Sequence, residues 1–344
     1  MPPSPRTAAP ENHPVDELLS RGELASAPHT SGSARRRESA PPPSEIRPQT
    51  PKRVSKSRID IIRVPDWNAF PWLVHGFSTR TGGVTTAYRP TQRSGELNLG
   101  FTDADTRDNV LDNRRRFLKA LGAPSSMKLV TLKQIHSSSV LSVGENNATD
   151  SEPCQGDGLI TSQPGILLAI QTADCIPVLI ADVKKKAVAA FHAGWRGTVK
   201  RIVESGVGKM RVAFRSRPED LIAAIGPGIG ACCYAVGEEV LSEFTSQFAY
   251  ARELFHEVSD SDPIRQKYPM LFLTARAPGH SDLGPSLHLD LMEANRRQLL
   301  DAGLKPQSIT VIGDCTRCQN NRYFSYRAEQ GFTGRMLSVI GIRP

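Results

Sequence analysis

Two histidines and a cysteine are the residues of this 344-residue chain best suited to chemistry. His136 follows a strand-like run, and Cys175 stands in Thr172-Ala173-Asp174-Cys175. His192 stands in Phe191-His192-Ala193-Gly194-Trp195-Arg196-Gly197. Two imidazoles and a thiolate suit zinc and leave one coordination position for water. Their separations of 39 and 17 residues match no local finger pattern. The same residues also allow Cys175 to act as a nucleophile activated by a histidine. The simplest alternative is a buried cysteine with two hydrogen-bonded histidines. In either chemistry Asp174 can orient a histidine. Asp157, in Gly156-Asp157-Gly158, reads as a turn residue or, beside a metal, as a base.

Anion binding has two candidates. Arg80 precedes Gly82-Gly83, where a guanidinium and backbone N–H groups can meet one phosphate. Gly226-Pro227-Gly228-Ile229-Gly230 follows a strand but lacks the Lys-Ser/Thr of a P-loop, so it reads as a plain turn. The other cysteines are Cys154, Cys232-Cys233 and Cys315-x-x-Cys318. The CxxC pair precedes a polar loop rather than a helix, so all five read as structural or incidental thiols.

The elements that must hold these residues are mostly short strands. Strand-like runs are Trp72–Ser78, Leu129–Lys133, Val140–Val143, Gly158–Thr161, Ile166–Ile170, Pro177–Ala181, Ala187–Phe191, Leu221–Ile225, Ile309–Gly313 and Met336–Ile340. Thr79–Gly83 reads as a loop. Helical spacing predicts helices over Val110–Leu121, with Gly122 as the C′ residue, and over Thr198–Phe214. Two more are predicted around Val236–Phe248 and from Asp290, which forms a capping box with Glu293 and ends at Gly303. Residues 256–286 read as a long excursion. Strands outnumber helices, which predicts an α+β class with mixed β-sheets layered with α-helices.

Composition narrows the class. No run of about 18 apolar residues occurs, so no spanning helix is expected, and six cysteines make no disulfide framework. Reduced thiols and a cytoplasmic location are expected. Residues 1–57 hold 11 of the 26 prolines and no aromatic residue. That segment reads as a disordered, basic, Pro-rich tail lacking the apolar core of a secretory signal, with a catalytic domain over 58–344. Up to Arg58 there are ten Lys/Arg against six Asp/Glu, which accounts for half of the net charge of +8. The remainder is mildly basic and carries neither an RNP-like motif nor a finger, so neither nucleic acid nor membrane is an expected partner.

Several ordered blocks together resemble one family. They are His75–Val84, Leu97-Asn98-Leu99-Gly100, Asn109–Arg114, Gln134–Ser137, Asp157–Thr161, Thr172–Cys175, His192–Gly197, Ile225–Pro227, Tyr234–Val240, Leu289–Leu291 and Phe324–Arg327. They resemble the laccase-domain family, also called polyphenol oxidase or peptidoglycan editing factor and described as purine nucleoside phosphorylases. The resemblance spans about residues 72–342. It implies a single αββα-type sandwich domain, with His136, Cys175 and His192 holding a metal, zinc or alternatively copper. It also implies phosphorolysis of adenosine, inosine, guanosine and methylthioadenosine, with deamination of adenosine. Arg80, Asn98 and Arg196 are then expected at the substrate, and Cys175, Arg80 and Asp157 in catalysis. Expected partners are small nucleosides and phosphate, on a monomer or small homo-oligomer. Laccase chemistry gathers four electrons for dioxygen over several copper ions. One Cys-His-His set and six histidines beyond the tail do not provide them. A cysteine hydrolase using Cys175 and a metal-stabilised binding module are the remaining alternatives.

Overall fold

The computed structural model describes residues 58–89, 94–144, 154–258 and 286–344. The expected disordered tail over 1–57 lies outside the described residues. So does 259–285, the greater part of the expected excursion.

Fifteen strands lie among the described residues: β1 Ile61–Ile62, β2 Leu73–Ser78, β3 Thr81–Gly83, β4 Gly95–Glu96, β5 Lys128–Val130, β6 Val140–Ser142, β7 Gly158–Thr161, β8 Ile166–Thr172, β9 Ile176–Asp182, β10 Ala187–Ala193, β11 Leu221–Ile225, β12 Phe255–Val258, β13 Ser286–Leu289, β14 Ile309–Val311 and β15 Met336–Ile342. The helices are α1 Arg107–Leu121, α2 Trp195–Val199, α3 Ile202–Phe214, α4 Glu238–Gln247 and α5 Leu291–Asp301. One sheet has five strands in the order β1-β2-β15-β8-β5, and a second has six in the order β14-β11-β9-β10-β7-β6. Both are mixed: β5 runs parallel to β8 and β11 parallel to β14, while the central pairs are antiparallel.

Strand parity sets the layers. Leu168 and Ile170 of β8 and Ile340 of β15 face Leu179 of β9, Val188 and Ala190 of β10 and Ala224 of β11, which fills the space between the sheets. The opposite parity, Leu167, Ala169, Leu337 and Val339, packs on Phe117 and Leu121 of α1. On the far side, Ile180, Ala189 and Phe191 pack on Val203, Val207 and Met210 of α3, Phe244 of α4 and Leu299 of α5. The result is an α/β/β/α sandwich. Its central strands are covered on both faces, which is why they read as continuous apolar runs rather than alternating ones.

Three elements differ from the sequence expectation. Helix α1 begins three residues before Val110, because the Thr106 side chain accepts from the Asn109 backbone N–H at 3.2 Å and caps a first turn that is all polar. The helix expected over Thr198–Phe214 is two helices broken at Arg201, whose φ is +58°. Periodicity misses this break because Val199 and Ile202 lie on the same buried face. Part of the loop expected over Thr79–Gly83 is the short strand β3, paired with β4. No described helix is long and apolar enough to cross a membrane.

Candidate metal centre and its pocket

The three ligand candidates converge at one end of the sandwich. Strand β8 belongs to one sheet and β9 to the other, and only Ala173, Asp174 and Cys175 connect them. A chain that changes sheets within three residues turns sharply. Asp174 accordingly has φ +92°, and Cys175 sits at the crossover. His192 lies near the end of β10, opposite Pro177 of β9. It shares the parity of Val188 and Ala190 and therefore points between the sheets. His136 comes from the β5–β6 connection. There Gln134 pairs with Gln171 of β8 in both directions, at 2.7 and 2.8 Å, and fixes the loop to the sheet.

One ligand atom from each of His136, Cys175 and His192 lies within 4.8 Å of the others. Gly194 leaves the space beside them. A Cβ there would stand 3.0 Å from the Cys175 sulfur and 3.2 Å from His136 Nδ1. The donor set and the glycine-lined gap fit a single ion held by two imidazoles and a thiolate, with a further position open.

Asp157 clasps two of the ligands at once. Its Oδ1 accepts from the His136 backbone N–H at 3.0 Å and from His192 Nδ1 at 2.8 Å. Its Oδ2 accepts from the Ser137 N–H at 2.6 Å, the Ser137 hydroxyl at 2.7 Å and the Ile135 N–H at 3.3 Å. Burial alone would raise the carboxyl's pKa. The hydrogen bonds from His192 and Ser137 outweigh it and bring Asp157 down to about 2. An ionised carboxylate can only accept, so His192 Nδ1 carries a proton and Nε2 is turned to the site. Burial likewise works against ionisation of both Cys175 and His192. Their mutual attraction, with hydrogen bonds from His136 to the thiol and from His192 to Asp157, prevails, lowering the thiol and raising the imidazole. Such a thiolate is the form that ligates a metal.

The centre opens into a pocket of about 620 Å³, within the range that takes a small ligand. Its lining includes the aromatics Trp195, Tyr234 and Tyr326 and the cations Lys133, Arg196, Arg327 and Arg335, against the single carboxylate Asp174. Asp174 is committed to structure: Oδ1 accepts from the Thr316 hydroxyl at 2.6 Å and Oδ2 from the Arg327 N–H at 2.7 Å.

Of the residues expected at substrate, Arg196 lines the pocket, with its guanidinium 4.4 Å over the Trp195 ring. Arg80 does not line it. The residue is 1% exposed, and its side chain bonds Glu96 at 2.8 Å, Glu329 at 3.0 Å and the carbonyls of Asn320 and Tyr323. Every nitrogen is engaged, by the buried Glu96, the half-buried Glu329 and the two carbonyls, so the structure does not bring Arg80 to the pocket. Asn98 is also fully buried, and its Oδ1 accepts from the Gly100 and Arg335 backbone N–H groups at 3.2 and 2.9 Å. It supports Arg335 from behind rather than contacting the pocket. Asp157 is absent from the lining, and its two oxygens together accept five hydrogen bonds. Sequence reasoning missed Arg335, Tyr234 and Tyr326. Tyr234 opens the Tyr234–Val240 block and Tyr326 and Arg327 lie within Phe324–Arg327, so the resemblance held a signal for all three; Arg335 carried none.

A double-sheet sandwich carries at its crossover a His–Cys–His set that could hold a metal ion, and this set opens into a cationic and aromatic pocket. The chain belongs to the multi-copper polyphenol oxidoreductase laccase family, whose family model matches residues 74–343. It is 34% identical to a protein named purine nucleoside phosphorylase YlmD of Geobacillus stearothermophilus, over 79% of this chain and 94% of that one. It is 37% identical to one named purine nucleoside phosphorylase of Deinococcus radiodurans, over 78% and 88%. Among solved structures, the hypothetical protein YfiH of Bacillus licheniformis superposes with a TM-score of 0.67 at 30% identity. That match covers 82% of this chain and 96% of the other.

Proposed function

We propose that the protein is a cytoplasmic, zinc-dependent purine nucleoside phosphorylase. Its substrates are adenosine, inosine, guanosine and methylthioadenosine, and it also deaminates adenosine. The observation that carries this reading is the pocket itself: an open three-ligand centre faces aromatic rings and four cations in one cavity. The names borne by the relatives agree with it. Zinc held by His136, Cys175 and His192 would supply a Lewis acid with one free position.

The chain's own residues supply the rest. Trp195, Tyr234 and Tyr326 offer faces on which a purine stacks. Arg196 and Arg335 hold phosphate and bring one of its oxygens to C1′ of the ribose. As the C1′–O bond forms, the bond from C1′ to the purine nitrogen breaks. The purine leaves with the electron pair and takes up the proton that the attacking phosphate gives up. Asp157 holds His136 and His192 in register throughout. In the deamination, water adds at C6 of adenosine and ammonia leaves, giving inosine.

Incubating zinc-loaded protein with adenosine, with and without phosphate, and separating the products tests both activities. Adenine that forms only with phosphate is the expected result, with inosine forming independently of phosphate. Neither product from protein shown to hold zinc would overturn the proposal.

A further inference from the structure

Four of the six cysteines meet at a second place in the fold. Strands β11 and β14 run parallel, and their C-terminal ends emerge side by side, with a further bridge between Gly228 and Cys315. The turn after β11 carries Cys232 and Cys233; the loop after β14 carries Cys315 and Cys318. Two pairs distant in sequence are thereby brought together. All four are free thiols. The Cys232 sulfur lies 3.7 Å from that of Cys233 and 3.5 Å from that of Cys318, and Cys233 and Cys318 are 3.4 Å apart. All four sulfurs fall within 4.8 Å of one another.

We propose that Cys232, Cys233, Cys315 and Cys318 bind one zinc ion in a closed structural site, separate from the His136–Cys175–His192 centre. Zinc–sulfur bonds of about 2.3 Å in a regular tetrahedron place sulfurs about 3.8 Å apart. The observed separations match that size, which suits a single ion. Four thiolates and no open position make a structural rather than a catalytic site. The surrounding backbone is arranged for it. The Gly230 N–H donates to the Cys315 sulfur at 3.3 Å, the kind of outer bond that steadies a ligating thiolate. Gly230 also passes so close that a Cβ would stand 3.4 Å from the Cys232 sulfur and 3.2 Å from Cys315 Cβ.

The ion braces the wall of the pocket. Thr316, inside the CxxC segment, donates its hydroxyl to Asp174 at 2.6 Å and its N–H to the Gly228 carbonyl at 2.9 Å. Ile229 donates its N–H to the Asp174 carbonyl at 2.8 Å. Both cysteine-bearing loops therefore grip Asp174, the neighbour of Cys175, in its left-handed conformation.

The test is zinc content of the purified full-length chain by mass spectrometry of the metal, with thiol alkylation of the native protein. Wild type is expected to hold two zinc ions per chain. Cys175→Ala should keep one, with Cys232, Cys233, Cys315 and Cys318 protected from alkylation until a chelator is added. Cys318→Ser should lose one ion and melt at lower temperature. Cobalt loaded into Cys175→Ala should show the intense sulfur-to-metal absorption of four thiolates, a readout that needs no substitution in the cluster and survives a misfolded Cys318→Ser. A Cys175→Ala protein without zinc, in which Cys232, Cys233, Cys315 and Cys318 react as freely as the exposed Cys154, would overturn the proposal. So would disulfides among these cysteines, seen as a mass lower by two hydrogens per pair. Nucleoside turnover plays no part in any of these outcomes.

Discussion

Replacing Asp157 with asparagine changes one atom of the clasp behind the metal centre. The carboxylate accepts five hydrogen bonds, two at Oδ1 and three at Oδ2. An amide offers one oxygen and one N–H2 group. With nitrogen at the Oδ2 position, the Ile135 and Ser137 N–H groups lose their acceptor. With nitrogen at the Oδ1 position, the His136 N–H loses its acceptor. His192 must then accept at Nδ1 and carry its proton on Nε2, which removes it as a ligand. One or two bonds to a charged group are lost, at roughly 1–3 kcal/mol each. Asp157→Asn is therefore expected to lose about 1–6 kcal/mol of stability in a urea titration. It should also bind zinc about 10–100-fold more weakly, the usual loss when the partner of a ligating histidine is altered. Competition against a chromophoric chelator measures the second quantity. If Asp157 acted only as a general base, turnover would fall while zinc affinity held. Zinc affinity within about threefold of wild type, on a scale where tenfold is about 1.4 kcal/mol, would refute the positioning role.

Four further outcomes follow. Gly194→Ala places a methyl against the Cys175 sulfur and His136 Nδ1, yet Gly194 has φ −71°, which alanine adopts freely. It should weaken zinc about tenfold by competition titration with little change in the melting of the zinc-free protein. Arg80→Met leaves the buried Glu96 and the half-buried Glu329 with only Arg89, 3.8 Å from each, and should cost about 3–5 kcal/mol in denaturant. Arg335→Met should melt near wild type but raise the KM for phosphate about 10–100-fold, a loss of one charge-assisted contact. His75 is 2% exposed, its Nε2 accepts from the Val64 N–H at 3.0 Å, and burial followed by the nearby Arg63 takes its pKa down to about 4. The unfolded chain binds this proton from about pH 6.5, so stability is full above 6.5 and falls by about 3 kcal/mol as pH drops to 4. His75→Gln, titrated with urea at both pH values, should flatten that contribution; an unchanged slope would dismiss it.

The layered architecture was legible because the central strands are apolar on both faces and the loops between them are marked by Gly, Pro and Asp. His136, Cys175 and His192 stood out by residue type, but their convergence depends on a three-residue crossover between sheets that no local spacing encodes. Arg80 shows the limit most clearly. An arginine beside two glycines reads the same whether it faces a phosphate or, as here, carboxylates 16 and 249 residues away. Asn98 and Asp157 were found as residues but not as supports, since a buried acceptor and a reactive one have the same side chain. The cysteine pairs read as structural or incidental because the CxxC precedes a polar loop rather than a helix and nothing local links it to Cys232-Cys233. Only the parallel pairing of β11 with β14 joins them.

The most direct test of the account follows nucleoside cleavage as zinc is titrated into chelator-stripped protein, with adenosine and phosphate present. Turnover is expected to be absent at the start, to rise with zinc in wild type and to stay flat in Cys175→Ala. Full turnover in metal-free protein, or recovery of Cys175→Ala to the wild-type rate, would contradict the assignment of His136, Cys175 and His192 as the centre on which the chemistry depends.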